Sequence, residues 1–368
     1  MPARIVSLLI FLTAIPAVAQ PLPSAEIDHP AVLHMVSDYR LDVEPERTAR
    51  LVEQAMAFSD EQLDELITPM HGFTSKLVCP TCGCQNPDFS LAEPDRITCP
   101  ECDATITPDT LPIDMEVSGP NLLGETVTYQ FHKVQPGPVG IAATIRYRRH
   151  HEFAAAARAL GERYYATGDE ALARRAVQIM ARFAEVYPRW PVFNRGGKPY
   201  WRIYTIGAER PWDNWLFGRW TDLFMYEIPQ DLVFAYDLIY DAAAWENLAP
   251  DGVDLRRHIE ETLFRAALEH SLIAHEDCGG HIGNLNPTMY QRMTHLGRVL
   301  NDPDVVHQAV HFMQEMIRMS YHFDGMEYEG TLTYHGVVTW RLAIAVRMLR
   351  GYEDPPGYVD ERFGISLA

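Results

Sequence analysis

The sequence predicts a mainly α-helical protein made of successive antiparallel helix hairpins, with a small cysteine-rich β segment inserted. Three observations predict this. Apolar residues recur at helical spacing over long stretches, Gly-containing breaks separate these stretches, and two Cys-x-x-Cys pairs lie close together. The chain has 368 residues and is 47% hydrophobic, which is enough for a large core.

The first element is an apolar leader over residues 1–19. A positive start and an apolar run precede an Ala-Val-Ala stretch that ends at Ala19 and matches a signal-peptidase site. We predict a signal peptide here, and export of the mature chain to a periplasm or out of the cell. A membrane anchor is the alternative, but the run is short and Pro16 interrupts its end.

A helical segment over residues 20–75 leads into a cysteine-rich insertion over residues 76–106. The insertion contains two Cys-x-x-Cys pairs with sixteen residues between them: Cys79, Cys82, Cys99 and Cys102. Thiolates on two such turns converge on one tetrahedral ion, so this spacing predicts a zinc-ribbon-like β segment that holds Zn²⁺.

Disulfides are the alternative use of these cysteines, because exported proteins usually oxidise their thiols. Cys84 and Cys278 lie outside the two pairs and are available for bridges. A metal fits the paired spacing better than two separate bridges do, and four thiolates leave no open position for chemistry. We therefore expect a structural metal, and no organic cofactor.

Residues 107–368 are predicted to form the main helical domain. After a strand-like stretch at residues 110–140, the first hairpin breaks at Gly168, and Asp169 is a good N-cap for its second helix. One later apolar face contains Val306, Val310, Met313 and Ile317. Such hairpins fit an α-toroid, an α-solenoid or an irregular bundle.

A stretch rich in Trp and Arg, residues 189–220, is the candidate binding surface. Aromatic faces stack on sugar rings, and guanidinium groups pair with carboxylate or sulfate. Each tryptophan taken alone is more simply a core residue. The density of both types favours a cleft for an acidic carbohydrate, and we select as its binding residues Arg202, Arg210, Trp212, Trp215 and Arg219.

The charge of the chain narrows the classes of partner. A formal net charge of −19 argues against duplex nucleic acid, which needs a basic surface, but not against one local anion site. No segment after the leader is apolar enough to cross a bilayer, so no membrane span is expected in the mature protein.

Two polar turns contain the candidate catalytic groups. In residues 275–290, His281 and Asn284 precede a helix whose free backbone N–H groups suit an anion, and Asn286 is a natural N-cap. The second turn, DGMEYEGTLTYHG, covers residues 324–336. Its proton-carrying candidates are Glu327, Glu329, Tyr334 and His335.

The order of these features resembles the heparinase II/III-like polysaccharide lyases, which are similar to the oligoalginate lyases. ATGDEALARRAVQIMARFAEVYP is similar to the family's first toroid hairpin. GNLNPTMY stands at its Gly-Asn motif, and DGMEYEGTLTYHG resembles its Asp-Gly…Glu-Gly-Ser-x-x-Tyr-His motif. The resemblance covers roughly residues 76–350, and some bacterial members carry a similar cysteine insertion.

The resemblance implies an incomplete (α/α) toroid and β-elimination at a uronic acid within a polysaccharide. The family's asparagine falls on Asn284 and its catalytic tyrosine on Tyr334. A histidine often follows the asparagine in the family; here Leu285 follows, which leaves Asn284 and His281 to neutralise charge. Family members also carry a C-terminal β-sandwich domain with a catalytic histidine. We expect the 368 residues either to lack that domain or to be a fragment of a longer protein.

The chemistry of β-elimination requires the same residue types, independently of the resemblance. Removing the C5 proton of a uronate places charge on its carboxylate, which donors or cations must neutralise. Asn284 and an Arg of residues 195–219 can do this. Tyr334 can act as base, acid or both if positive charge lowers its pKa from about 10. His335 is a second proton carrier or orients Tyr334, and Glu329 supports the site.

Two other functions stay open at this point. Glu327 and Glu329 can act as acid and base in a glycoside hydrolase on a similar toroid, because most such enzymes use two carboxyl groups. A non-catalytic, exported sugar-binding protein has the same features.

Overall fold

The helical periodicity corresponds to eleven α-helices in the computed structural model, which describes residues 43–72, 77–85, 87–120, 123, 125–132, 139–190, 192–194, 216–218, 228–250, 252–277 and 283–367. The helices are α1 (Pro45–Ala57), α2 (Asp60–Leu66), α3 (Ile141–Thr167), α4 (Glu170–Val186), α5 (Gln230–Leu238), α6 (Ala244–Leu248), α7 (Leu255–Ile259), α8 (Ala266–Asp277), α9 (Asn286–Val299), α10 (Pro303–Ser320) and α11 (Leu332–Arg347). A π-helical stretch, Glu260–Arg265, joins α7 to α8. The protein is thus mainly α-helical, as predicted.

The described strands are short and form three antiparallel sheets. They are β1 (Asp88–Phe89), β2 (Ile97–Thr98) and β3 (Thr105–Ile106) in one sheet, β4 (Met115–Pro120) with β5 (Thr126–Phe131) in the second, and β6 (Val192–Asn194) with β7 (Leu216–Gly218) in the third. Phe89 pairs with Ile97, and Ile97 pairs with Ile106. The first sheet belongs to the cysteine-rich insertion, and the second to the strand-like stretch.

The first predicted hairpin is confirmed as α3 and α4. Gly168 ends α3 with a left-handed φ of 68° and donates its N–H to Tyr164 O at 2.7 Å. Asp169 then caps α4, because its Oδ1 accepts the Ala171 N–H at 3.0 Å. α3 is buried along much of its length and packs against α1, α4 and α5. It is therefore the central helix of the core.

Helices α9, α10 and α11 form the second packing unit. α10 returns along α9 after a tight turn that Gly297 permits, since a Cβ there would lie 2.8 Å from Val306 Cγ2. The apolar face predicted for α10 is buried except at Ile317, which is 50% exposed. α10 has 18 residues and α9 has 14, so the last turn of α10 extends past the start of α9.

The cysteine-rich insertion is attached to the start of α3. Its apolar residues Leu77, Ile97 and Ile106 pack with Val139 and with the first turns of α3 in one small core. The insertion is therefore fixed to the helical body by hydrophobic contact as well as by the chain.

Membrane and export predictions fall partly beyond the described residues. Residues 1–19, the predicted signal peptide, lie outside them. Within the described ranges, no helix combines the length and the apolar character that a membrane span requires.

Candidate functional site

The four paired cysteines come together in space. Their sulfur atoms all lie within 4.8 Å of one another. Cys79 Sγ is 3.7 Å from Cys102 Sγ, and Cys82 Sγ is 3.5 Å from Cys99 Sγ. A tetrahedral ion with bonds of about 2.3 Å to sulfur sets its ligands about 3.8 Å apart, whereas a disulfide needs about 2.05 Å. The cluster has the dimensions of a metal site, and the described cysteines are all unbridged.

Each Cys-x-x-Cys pair is bent by the same backbone turn. The Gly83 N–H donates to Cys79 O at 2.9 Å, and the Asp103 N–H donates to Cys99 O at 2.9 Å. Both residues that close these turns are left-handed, with φ of 79° at Gly83 and 56° at Asp103. Glycine adopts this conformation freely, and aspartate does so more readily than most residues. The local sequence thus bends each pair so that its two thiols face one point.

Backbone N–H groups also favour the thiolate of Cys79. Burial by itself raises the pKa of this thiol, but hydrogen bonds from the backbone of Cys82 and Thr81, with the neighbouring thiols, lower the pKa to about 6. The thiolate is the form that binds a metal ion. Because their sulfur atoms converge, these four cysteines can hold a metal ion, as the spacing predicted.

Asn284 lies on the turn that leads into α9. The prediction that Asn286 caps this helix is wrong: α9 begins at Asn286, Leu285 occupies the N-cap position, and the Asn286 side chain is buried. The Asn286 N–H closes the turn on Gly283 O at 3.0 Å. A Cβ on Gly283 would lie 2.8 Å from Asn286 Oδ1, so the buried amide packs directly on the turn. This packing fixes the backbone that carries Asn284.

Asn284 and Glu329 join the two motifs, which are 45 residues apart. Asn284 Nδ2 donates to both carboxylate oxygens of Glu329, at 3.2 and 3.4 Å. An ionised carboxylate only accepts hydrogen bonds, so the amide must present its nitrogen to Glu329. The two oxygens belong to one carboxylate, so a single N–H of the amide faces both. Within the residues that the structure describes, the second N–H has no hydrogen-bond acceptor.

Arg341 adds a cation to the same place. It is half-buried on α11, and its Nη1 donates to Asn284 O at 3.3 Å. Across the described ranges it makes no ion pair with a carboxylate. The sequence interpretation looked for this cation in residues 195–219 and missed Arg341. The signal was its spacing, because Arg341 lies seven residues, or two helical turns, after Tyr334 and so shares its face.

Glu327 is the buried acid of the loop between α10 and α11. Its side chain has 0% exposure, and its Oε2 accepts the Glu329 N–H at 3.1 Å. Its Oε1 is buried and has no hydrogen-bond partner within the described part of the chain. Burial raises the pKa of this carboxyl, the Glu329 N–H opposes the rise, and the Glu329 charge adds to it. Glu327 thus holds the backbone of Glu329 through this hydrogen bond.

Tyr334 and His335 lie in the first turn of α11. Thr331 caps the helix, its Oγ1 accepting the Tyr334 N–H at 3.1 Å. The Tyr334 side chain is 46% exposed, and its hydroxyl makes no hydrogen bond within the residues that the structure describes. His335 bonds to Glu327 rather than to Tyr334: its Nδ1 accepts the Glu327 N–H at 3.3 Å. Within the described residues no hydrogen bond joins His335 to Tyr334, and the orienting role of His335 stays a prediction.

Several predicted site residues lie outside the described residues. These are His281 and the selected binding residues Arg202, Arg210, Trp212, Trp215 and Arg219. Cys278, considered for a disulfide, also lies outside them.

Trp190, at the start of the Trp- and Arg-rich stretch, is a core residue. It is fully buried and stacks on the His71 ring, 4.0 Å between centroids, and on the His150 ring at 5.0 Å. Its Nε1–H donates to Thr68 O at 2.9 Å. Burial lowers the pKa of both histidines, so this stack is a neutral anchor for the chain that enters the stretch.

Comparisons with protein families, curated proteins and solved structures return no match for this chain. Two polar centres are the candidates for function in the described part of the chain: the cysteine cluster, and the group formed by Asn284, Glu329, Tyr334, His335 and Arg341. We call the second the α9–α11 site.

Proposed function

We propose that this chain is an exported lyase that cleaves a uronic-acid-containing polysaccharide by β-elimination. The supporting observation is the Asn284–Glu329 hydrogen bond, which brings the Asn turn to the loop that begins the Tyr334 helix. The fold we propose for it is an incomplete (α/α) toroid of helix hairpins, in line with the resemblance of its motifs to heparinase II/III-like lyases.

Charge neutralisation is the first chemical requirement. The C5 proton of a uronate becomes removable when its carboxylate is held by donors that match the charge of the intermediate. The free N–H of Asn284 is one donor, and the guanidinium of Arg341 supplies the positive charge. Arg341 already contacts the Asn284 backbone, so the two groups can act on one carboxylate.

Proton transfer is the second requirement, and Tyr334 is the group proposed for it. Its hydroxyl is accessible, whereas the Glu327 carboxyl is not. As base, tyrosinate takes the C5 proton; as acid, the phenol protonates the C4 oxygen as the C4–O bond breaks. The inaccessibility of Glu327 argues against the hydrolase that would use Glu327 and Glu329 as its two carboxyls.

The cysteine cluster has a structural role in this proposal. Four thiolates in tetrahedral spacing are typical of structural Zn²⁺, so we assign zinc to it. The acidic polymer would be bound by the Trp- and Arg-rich stretch, with Arg202, Arg210, Trp212, Trp215 and Arg219 as contacts. Export to the periplasm or the medium gives the enzyme access to such polymers.

The proposal is tested by ultraviolet absorbance during incubation with a panel of uronate polysaccharides. Elimination creates a C4=C5 double bond conjugated to the carboxylate, so absorbance is expected to rise. Tyr334→Phe is expected to lower the rate by about 10²- to 10⁴-fold. Tyr328→Phe is the matched control, because Tyr328 is 41% exposed in the loop that precedes α11 and has no assigned role. Reducing ends without an absorbance rise would instead establish a hydrolase.

A further inference from the structure

The ring of His335 has its proton position set by the backbone. The Glu327 N–H points at His335 Nδ1, with 3.3 Å between the nitrogens. A backbone amide only donates, so Nδ1 must carry a lone pair. A neutral imidazole with an unprotonated Nδ1 carries its proton on Nε2. The neutral ring is therefore the Nε2–H form.

The backbone that sets this proton is itself well held. Glu327 forms a β-bridge with Tyr321, and the neighbouring Tyr328 N–H donates to Ser320 O at 2.8 Å. The buried Glu327 side chain accepts the Glu329 N–H, which closes the loop on itself. The Tyr321 ring meets the His335 ring edge to face, with centroids 6.2 Å apart. The backbone pairing of Glu327 and the contact with the Tyr321 ring thus both fix the position of the imidazole.

The other ring nitrogen is available to a ligand. His335 is half-buried, and in the described residues its only hydrogen bonds are the one at Nδ1 and the helical bond of its backbone. It directly follows Tyr334 on α11, and the loop that holds it also carries Glu329 and, through it, Asn284. Nε2–H is therefore a donor at the edge of the α9–α11 site.

We propose that His335 is a hydrogen-bond donor in the reaction and not its base, with Nε2–H directed to an anionic oxygen of the uronate. This rests on the proposed function. In this form the ring has no lone pair free to take the C5 proton, because Nε2 holds a proton and Nδ1 holds the Glu327 N–H. Proton abstraction is left to Tyr334.

The tautomer is tested by nuclear magnetic resonance on the ¹⁵N-histidine-labelled protein, without any assay of activity. Correlations from the carbon-bound ring protons distinguish a protonated Nε2 from a protonated Nδ1. The His335→Asn variant identifies the signals by their loss. We expect protonated Nε2 and unprotonated Nδ1 in the neutral ring, and a shift of the Nε2 signal on adding a uronate oligosaccharide. The opposite tautomer, or an unmoved Nε2 signal with the site saturated, overturns the proposal.

Two matched variants test the role in catalysis. His335→Gln places an amide N–H near the Nε2 position, whereas His335→Asn keeps an acceptor near Nδ1 and removes the distal donor. We expect the glutamine variant to stay within about 10-fold of the wild-type rate and the asparagine variant to lose about 10²-fold or more, the usual cost of one removed donor.

Other outcomes separate the inference from the function on which it rests. If the asparagine variant is active and the glutamine variant is inactive, His335 serves only to hold Glu327. If both variants lose activity equally and strongly, His335 transfers a proton. Either result overturns the proposal. A wild-type chain that eliminates no uronate polymer refutes the proposed function, while the resonance experiment still decides the position of the His335 proton.

Discussion

The cysteine cluster and the α9–α11 site are both polar centres formed at tight turns, but different parts of the chain determine them. The cluster needs only two short turns, closed by Gly83 and Asp103, and the small β-sheet of the same segment. The α9–α11 site needs α11 packed against α9, because Asn284 and Glu329 meet across 45 residues. The first therefore depends on local sequence and the second on tertiary packing.

One acid of each centre, Cys79 and Glu327, shows how backbone donors oppose burial. Burial raises the pKa of both Cys79 and Glu327. At Cys79, two backbone bonds and the neighbouring thiols outweigh burial, and the pKa falls to about 6. At Glu327, one backbone N–H opposes burial and the Glu329 charge reinforces it, so the pKa stays raised. Donors aimed at a buried acid thus oppose the rise in pKa that burial causes.

The largest effect is expected at the cysteine cluster, because one ligand cannot be removed without losing the tetrahedral site. Cys99→Ser should abolish stoichiometric metal and unfold the cysteine segment, since structural zinc contributes about 10–16 kcal/mol in isolated zinc-finger peptides. Metal content of protein purified without chelator, and limited proteolysis of residues 77–106, provide the measurements.

Cys84→Ser is the control for this prediction. Cys84 lies two residues after Cys82, yet it is outside the group of four converging thiols. Its substitution should leave the metal content unchanged. Full metal content in Cys99→Ser, or metal loss in Cys84→Ser, would contradict the assignment of the ligands.

An intermediate effect, on the elimination rate, is expected at Glu329, because Glu329 acts on Asn284 through a hydrogen bond. Glu329→Ala leaves one Asn284 N–H without its acceptor and frees the amide to rotate. A hydrogen bond to a charged group contributes about 1.5–3 kcal/mol, so the elimination rate should fall about 10- to 100-fold. Glu329→Gln keeps an acceptor oxygen and should lose less.

Metal content connects this result to the cysteine cluster. Both Glu329 variants should retain full metal, since the two centres share no residue. An alanine variant with the wild-type rate would show that Asn284 needs no support from Glu329. Loss of metal in either variant would mean that the two centres are coupled.

The sequence predicted the cysteine cluster almost completely, since its geometry follows from the spacing and from turn residues next to the ligands. The same is true of the break between α3 and α4, where Gly168 ends the first helix and Asp169 caps the second through contacts with nearby residues. A site whose ligands and turn residues lie within a short stretch of sequence can be recognised without knowledge of the fold.

Features set by packing were missed or misjudged. Asn286 has the residue type of an N-cap, but its amide packs into the core against Gly283. Arg341 lies outside the recognised motif and enters the site only through the register of α11. The burial of Glu327 depends on the β-bridge to Tyr321, which reverses the chain after α10. Trp190 lies in the Trp- and Arg-rich stretch that predicted a binding surface, but its side chain is buried in the core.

The smallest effect is expected from Glu327, and it appears as a pH dependence of stability. The folded protein holds the Glu327 proton more tightly than the unfolded chain, where the pKa has its ordinary value of 4.5. This contribution to the free energy of unfolding is complete below that value and is lost as the pH rises through the raised folded-state pKa. Ionising Glu327 therefore costs more free energy in the folded protein than in the unfolded chain.

Glu327→Gln removes this cost while keeping an oxygen that accepts the Glu329 N–H. Urea unfolding of both proteins at pH 5 and pH 8 should show the variant gaining stability relative to the wild type as the pH rises. Because the loop hydrogen bonds are kept, its metal content should not change. A stability difference that is the same at both pH values would mean that Glu327 has the same pKa in the folded and unfolded chains. The donors around it would then balance its burial, as they outweigh it at Cys79.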